Sequence, residues 1–337
     1  MGDNIYHQFD TVIELTQQKR IEDERWSEIL THSRTGSCTR QDLNDIRKLV
    51  LTNEQCDIPD FSTFPWNETE LVTPRNSVRT VWNKAKLREH CRQTGNLLYV
   101  VDAEDSGGKE RRTLTNTERL TIAKMPSKET AQLENRIELA VGMKVMVTLN
   151  MATDIGLTNG SRGTIVDIIL DPRESNTDID EDDNHIVHLK FPPAMIVFKP
   201  TRQFNFEPFD GLQAGQIPIF PKEASFRIGT KKRGTSVNRR QLPLTAAYAF
   251  TDRKAQGQTL GNVLVDIGKL SRFPVNQFAA YVALSRGKGR HKIRLLRDFD
   301  NKLFTKHPSL NLKYEDERLE SLIRQTKDNW DAGRFNF

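Results

Sequence analysis

The sequence predicts an α/β protein in which a parallel sheet, covered on both faces, is interrupted by a small β-barrel. Three observations point there. Strand and helix signals alternate over residues 1–90, β-rich segments with turn dipeptides crowd residues 136–225, and the alternation returns after residue 240. The expected domains are a discontinuous α/β domain of residues 1–135 and 226–337, and an inserted barrel of residues 136–225.

Each element has a local reason. Thr11–Leu15 (TVIEL) is a short apolar run and is expected as a strand. Trp26, Ile29 and Leu30 then recur at helical spacing. Thr39 with Asp42 makes a capping box that opens a helix carrying Leu43, Ile46, Leu49 and Val50 on one face. Glu70–Thr73 is strand-like and Pro74 punctuates it. Asn76 to Cys91 then reads as helix, with Val78, Val81, Trp82, Ala85 and Leu87 as apolar positions. In the middle, Val145–Leu149, Thr164–Leu170, His185–Phe191 and Met195–Phe198 are β-rich, and Asn159-Gly160 and Arg162-Gly163 are turn dipeptides. Ala246–Gln258 is helical in pattern, Val263–Ile267 a buried strand, Gln277–Ser285 a helix, Lys292–Arg297 a strand and Tyr314–Trp330 a charged helix.

Composition excludes several classes. The 337 residues are 36% hydrophobic, with 17 Phe and 4 Trp, enough for a sizeable core, and no apolar run approaches the length of a membrane span. The opening MGDNIYHQ has no charged, apolar signal region, and Tyr6 stands where a myristoylation signal needs Ser or Thr. Cys38, Cys56 and Cys91 are odd in number and far apart, which argues against a disulfide framework and for a reducing compartment. No two share metal-ligand spacing, and His90 and Cys91 face different sides of a helix, so no zinc site is expected. Net charge is only +5, but it is unevenly placed. Ser225 to Ala255 holds eight basic residues and one acid, and Arg286 to Arg297 holds six basic residues and none. Asp171 to Asp183, by contrast, holds seven acids and one Arg. The basic last third favours a polyanion partner.

The most informative segments are QLPLTAAYAFTDRKAQGQTL (Gln241–Leu260) and YVALSRGKGR (Tyr281–Arg290), with the VLVDI strand between them. Three more stand out: GMKVMVTLN…GLTNGSRGTIV (Gly142–Val166), TVIELTQQKR (Thr11–Arg20) and LVTPRNSVRTVWN (Leu71–Asn83). In order and spacing these resemble the petite-integration-frequency (PIF) type of DNA helicase, the RecD-like 5′-to-3′ branch of superfamily one. The resemblance covers nearly the whole chain and is nearest to the fungal, transposon-associated branch. It implies a RecA-like (P-loop NTPase type) second motor domain interrupted by the barrel.

It also implies roles. Phosphoryl transfer needs positive charge at the γ-phosphate, and an arginine delivered from a second domain contributes about 10³–10⁵ in rate. By resemblance Arg286 is that residue and Arg20 a second one. Gln256, Gly257 and Gln258 would couple the nucleotide edge to the DNA edge. A translocating motor grips phosphates without reading sequence. The implied contacts are Thr251, Arg253 and Lys254 in one motif, and Thr73, Pro74 and Asn76 in another. Arg253 stands where the family usually has His, a change that preserves a donor.

Gripping a nucleoside triphosphate requires a Gly-rich loop ending in Gly-Lys-Ser/Thr and a strand-borne carboxylate for magnesium. Neither is present in the sequence. SGGKE (Ser106–Glu110) lacks the first glycine and puts Glu110 where a hydroxyl must ligate the metal; EDER (Glu22–Arg25) lies in a charged, helical stretch. The expectation is the C-terminal half of a helicase. ATP and magnesium would be bound largely by an N-terminal motor domain missing from this chain, with single-stranded DNA as the other partner. Alone, the chain is expected to be inactive. The other reading from the sequence is a non-catalytic nucleic-acid-binding relic of a mobile-element helicase, and an RNA-directed motor stays open. The family implies a nuclear setting first and a mitochondrial one second.

Overall fold

A computed structural model describes residues 2–15, 19–174, 178–179, 185–229, 234–255, 258, 260–268, 275–307 and 309–334, with backbone alone at 3, 4, 178, 179, 252 and 253. The chain divides into two units: Met1–Asn76 with Phe250–Phe337, and Ser77–Ala249.

The first unit opens with α1 (Gly2–Tyr6), α2 (Glu24–Thr35) and α3 (Arg40–Arg47). Asp23 caps α2 by accepting the Trp26 N–H, and the Thr39/Asp42 capping box is complete in both directions. Trp26, Ile29, Leu30, Leu43 and Ile46 are buried as their spacing predicts. Thr11–Leu15 is not the expected strand. Its Val12 N–H goes to the Thr326 hydroxyl rather than to a ladder, and Ile13 and Leu15 are 81% and 93% exposed. The first strand is β1 (Glu70–Val72), and α4 (Asn76–Thr94) runs on into the second unit.

The second unit contains β2 (Leu98–Asp102), β3 (Glu104–Gly107), α5 (Asn116–Ala123), β4 (Arg136–Leu139), β5 (Lys144–Val147) and β6 (Arg162–Ile169). It continues with β7 (Asp178–Ile179), β8 (Ile186–Leu189), β9 (Met195–Pro200), β10 (Ile217–Ile219), β11 (Lys222–Ile228), β12 (Thr235–Gln241) and β13 (Leu244–Ala246). It is wider than residues 136–225 because flanking strands join in: β2 pairs with β4 and β8, and β12 pairs with β3. Three sheets result, in the orders β10-β9-β6-β5-β13, β11-β12-β3 and β4-β2-β8-β7. The expected closed barrel is not found among the described residues. Closure would join the end strands β10 and β13, and each is three residues long, too short for the staggered ladder a barrel needs. The Arg162-Gly163 dipeptide lies inside β6 rather than in a turn. A Cβ on Gly163 would overlap the Lys199 carbonyl and the Phe198 ring, so the glycine admits the close approach of β9. Leu87, Val101, Leu139, Met143, Val145, Ile196 and Phe198 belong to the core formed with the first and third of these sheets, while Phe226, Ile228 and Val237 of the second pack in a separate cluster with Leu114 and Ile122.

The chain then returns through β14 (Ala249–Phe250), α6 (Asp252–Ala255), β15 (Val263–Val265), α7 (Gln277–Leu284), β16 (Ile293–Leu295), α8 (Lys302–Thr305) and α9 (Leu310–Asp331). The sheet order is β14-β1-β15-β16, with β15 parallel to both β1 and β16. Val50 adds a single parallel bridge to Leu295 beyond β16. This is the expected α/β sheet flanked by helices. The helix read over Ala246–Gln258 is instead two short strands and the four-residue α6. Asn83 on α4 explains why: its Oδ1 accepts the Tyr248 and Ala249 N–H groups at 3.0 and 2.8 Å, which holds that stretch extended. No described helix is long and apolar enough to cross a membrane.

Candidate functional site

Arg286 follows the last turn of α7, a helix capped by Asn276 and buried through Ala279, Ala280, Val282, Ala283 and Leu284. Arg286 is 6% exposed, and the partners of its guanidinium among the described residues are carbonyls and a hydroxyl, with no carboxylate. Nε donates to Val282 O at 2.8 Å, Nη2 to Ser285 Oγ at 2.7 Å, and Nη1 to Ala255 O and Gln258 O at 3.2 and 3.1 Å. Arg20 donates to Ser285 O at 3.3 Å, which brings a second cation beside it. Burial, and behind it the Arg20 charge, pull the Arg286 guanidinium below its ordinary value. Two arginines side by side without a carboxylate on Arg286 form a centre that favours an anion.

Arg20 reaches this place because the stretch before α2 is stitched to the loop after α7. Glu22 N donates to Lys288 O at 2.9 Å. The Asp23 carboxylate receives Arg290 Nε and Nη2 at 2.7 and 3.0 Å while also capping α2. EDER is therefore a helix start, as its charge pattern predicts. SGGKE is no phosphate loop either: β3 ends at Gly107, which exchanges backbone hydrogen bonds with Arg112 across a tight turn.

The Arg286 guanidinium bridges to the motif after β14. Thr251 is half-buried, Lys254 is exposed at the end of α6, and only the backbone of Arg253 is described. Gln258 folds back, donating its side-chain amide to Lys254 O at 3.0 Å. Gln256 and Gly257 lie outside the described residues.

The loop after β1 is built differently from its sequence reading. Asn76 is exposed and Pro74 half-buried, but Thr73 is fully buried, donating its hydroxyl to Asp266 Oδ2 at 3.2 Å. Asp266, also fully buried, follows β15 and gathers two arginines. Arg75 Nη1 donates to Oδ2 at 2.8 Å, and Arg297 brings Nε to Oδ1 at 2.9 Å and Nη2 to Oδ2 at 3.1 Å. Sequence reasoning missed Asp266, Arg75 and Arg297. The one available signal was an acid closing an otherwise apolar strand run, VLVD.

No group of three or more His, Cys, Asp or Glu that could hold a metal ion occurs among the described residues.

No family model matches the chain. Over 317 residues it is 25% identical to the ATP-dependent DNA helicase PIF1 of Xenopus laevis, covering 93% of this chain and 39% of that one. It is 28% identical over 201 residues to PIF1 of Danio rerio, covering 59% and 25%, and 41% identical over 86 residues to PIF1 of Emericella nidulans, covering 26% and 11%. The chain thus spans at most two-fifths of these relatives. Among solved structures, Pif1 helicase from Candida albicans superposes with a TM-score of 0.59 at 22% identity, over 90% of this chain and 60% of that one. Bacteroides Pif1 bound to single-stranded DNA gives 0.59 at 17% identity, over 92% and 57%. Over most of its length the chain is similar in sequence to the PIF1 DNA helicases, and nine-tenths of it shares the fold of solved Pif1 structures.

Proposed function

We propose that this chain is the second motor domain of an ATP-dependent 5′-to-3′ DNA helicase, with residues 136–225 belonging to the inserted barrel-like part. The observation that carries the reading is the Arg286–Arg20 pair, whose central guanidinium holds the carbonyls of Ala255 and Gln258. Arg286 and Arg20 meet the γ-phosphate of ATP seated on the partner motor domain. ATP supplies the phosphoryl group; the two arginines hold its developing charge. Arg286 also grips both ends of the Gln256–Gly257 segment. A change in its position moves the carbonyls of the motif that carries Thr251, Arg253 and Lys254, and this links the nucleotide edge to the DNA edge. In this reading Thr251, Arg253 and Lys254 contact the DNA strand together with Asn76 and Pro74, and Thr73 acts indirectly by holding the loop to Asp266. Magnesium ligands come from the partner domain, and the setting is the nucleus, or the mitochondrion.

Two measurements test this. The purified chain is expected to bind oligothymidylate weakly and to hydrolyse ATP negligibly with magnesium. Robust ATPase activity from the chain alone would overturn the half-motor reading. Supplied with the N-terminal motor domain of a relative, the native chain is expected to restore ATPase activity, and Arg286→Ala to lower kcat by about 10³. Equal restoration by both would remove the finger assignment. A chain that binds DNA yet restores nothing with any partner would favour the non-catalytic relic.

A further inference from the structure

The ends of four neighbouring strands meet at one side of the sheet. Thr251 follows β14, Thr73 follows β1, Asp266 follows β15 and Arg297 lies two residues beyond β16. The last three strands are parallel, so this is their shared carboxyl edge, where open α/β sheets take their ligands.

At that edge one carboxylate serves two guanidinium groups. Asp266 is the acid that both Arg75 and Arg297 touch among the described residues, so one positive charge is left over. The two arginines are not equivalent. The Arg75 side chain is 10% exposed, donates also to Gly268 O, and keeps a buried Nε without a partner. Arg297 is 37% exposed. It donates Nη2 to Asp266 with Nε in ion-pair contact, and among the described residues its other donors have no partner. Its stem lies flat on Gly268, where a Cβ would overlap Arg297 Cγ and Cδ. The spare charge is thus presented by Arg297, with Asp266, Arg75 and Gly268 fixing its direction.

We propose that Arg297 binds a backbone phosphate of a single nucleic-acid strand, with Asp266 and Arg75 as positioning residues. The proposal rests on the motor reading and adds a contact beyond the loop after β1 and the motif after β14. A phosphodiester suits the site because a guanidinium held by a carboxylate still offers a fork of donors, and the spare charge is one.

The test uses the whole 337-residue chain and fluorescein-labelled oligothymidylate, with affinity measured over a salt series. Each phosphate contact on a single strand contributes about 0.7 to the slope of log affinity against log salt. Arg297→Gln is expected to reduce the slope by about 0.7, and Arg297→Lys to return it. Gly268→Ala keeps every charge but displaces the arginine, and is expected to reduce the slope as well. Arg297→Gln leaves Asp266 with Arg75, Thr73 and the Gly268 N–H, so its melting temperature serves as the folding control. An unchanged slope in folded Arg297→Gln, or in Gly268→Ala should the former not fold, overturns the assignment and leaves the motor reading standing. Absence of salt-dependent binding by the native chain overturns both.

Discussion

Asp23 caps α2 and receives a two-pronged contact from Arg290, so one carboxylate fixes both the start of a helix and the path that brings Arg20 to Arg286. The Arg290 hydrogen bond holds Asp23 down at about 2 against an ordinary 3.8. A folded value below the unfolded one means stability that is fully present above about pH 5 and is lost as pH falls through about 2. Arg290 is two-fifths exposed, so solvent screening leaves a contribution of about 1 kcal/mol. Arg290→Ala is therefore expected to cost about that much in urea unfolding at pH 7 and much less at pH 2. An equal loss at both pH values would show that the ion pair is not the source.

Among the elements, those defined by their own apolar run were legible: β1, β15, α7 and the capping box of α3 lie where spacing puts them. Those decided by distant partners were not. Ala246–Gln258 has the composition of a helix, yet Asn83, far away in sequence, claims two of its N–H groups and leaves only α6 helical. β11 and β12 carry no clear apolar run, because Lys222, Glu223, Arg227 and Arg240 interrupt it. Motif order singles out Arg286 and Arg20, which lie side by side, but not the Asp266 cluster, because periodicity registers apolar side chains and passes over a buried carboxylate. Two substitutions measure these devices. Asn83→Ala strands one buried and one part-buried N–H group and is expected to cost about 2–4 kcal/mol in unfolding free energy. Thr39→Ala breaks one side of the α3 box and is expected to cost about 1 kcal/mol, with Thr39→Ser close to native. Similar losses for Asn83→Ala and Thr39→Ala would argue that Asn83 is no clasp.

For the molecule as a whole, thiol chemistry reports the integrity of both units at once. Cys38 lies in one unit and Cys91 in the other, both buried, while Cys56 is partly exposed. Burial pushes the Cys38 thiol up to about 12, so it holds little thiolate at neutral pH. A disulfide reagent is expected to label one thiol in the native chain and three after denaturation. Two fast-reacting thiols in the native state would show that one unit opens. The last consequence concerns growth rather than chemistry. On the β16 side, Leu49 and Leu51 exchange backbone hydrogen bonds with Leu295 around the Val50 bridge. On the other side the final strand, β14, is two residues long. Among the described residues neither margin of this sheet offers a long open row of donors and acceptors, so this sheet gives a second copy no template for end-to-end joining.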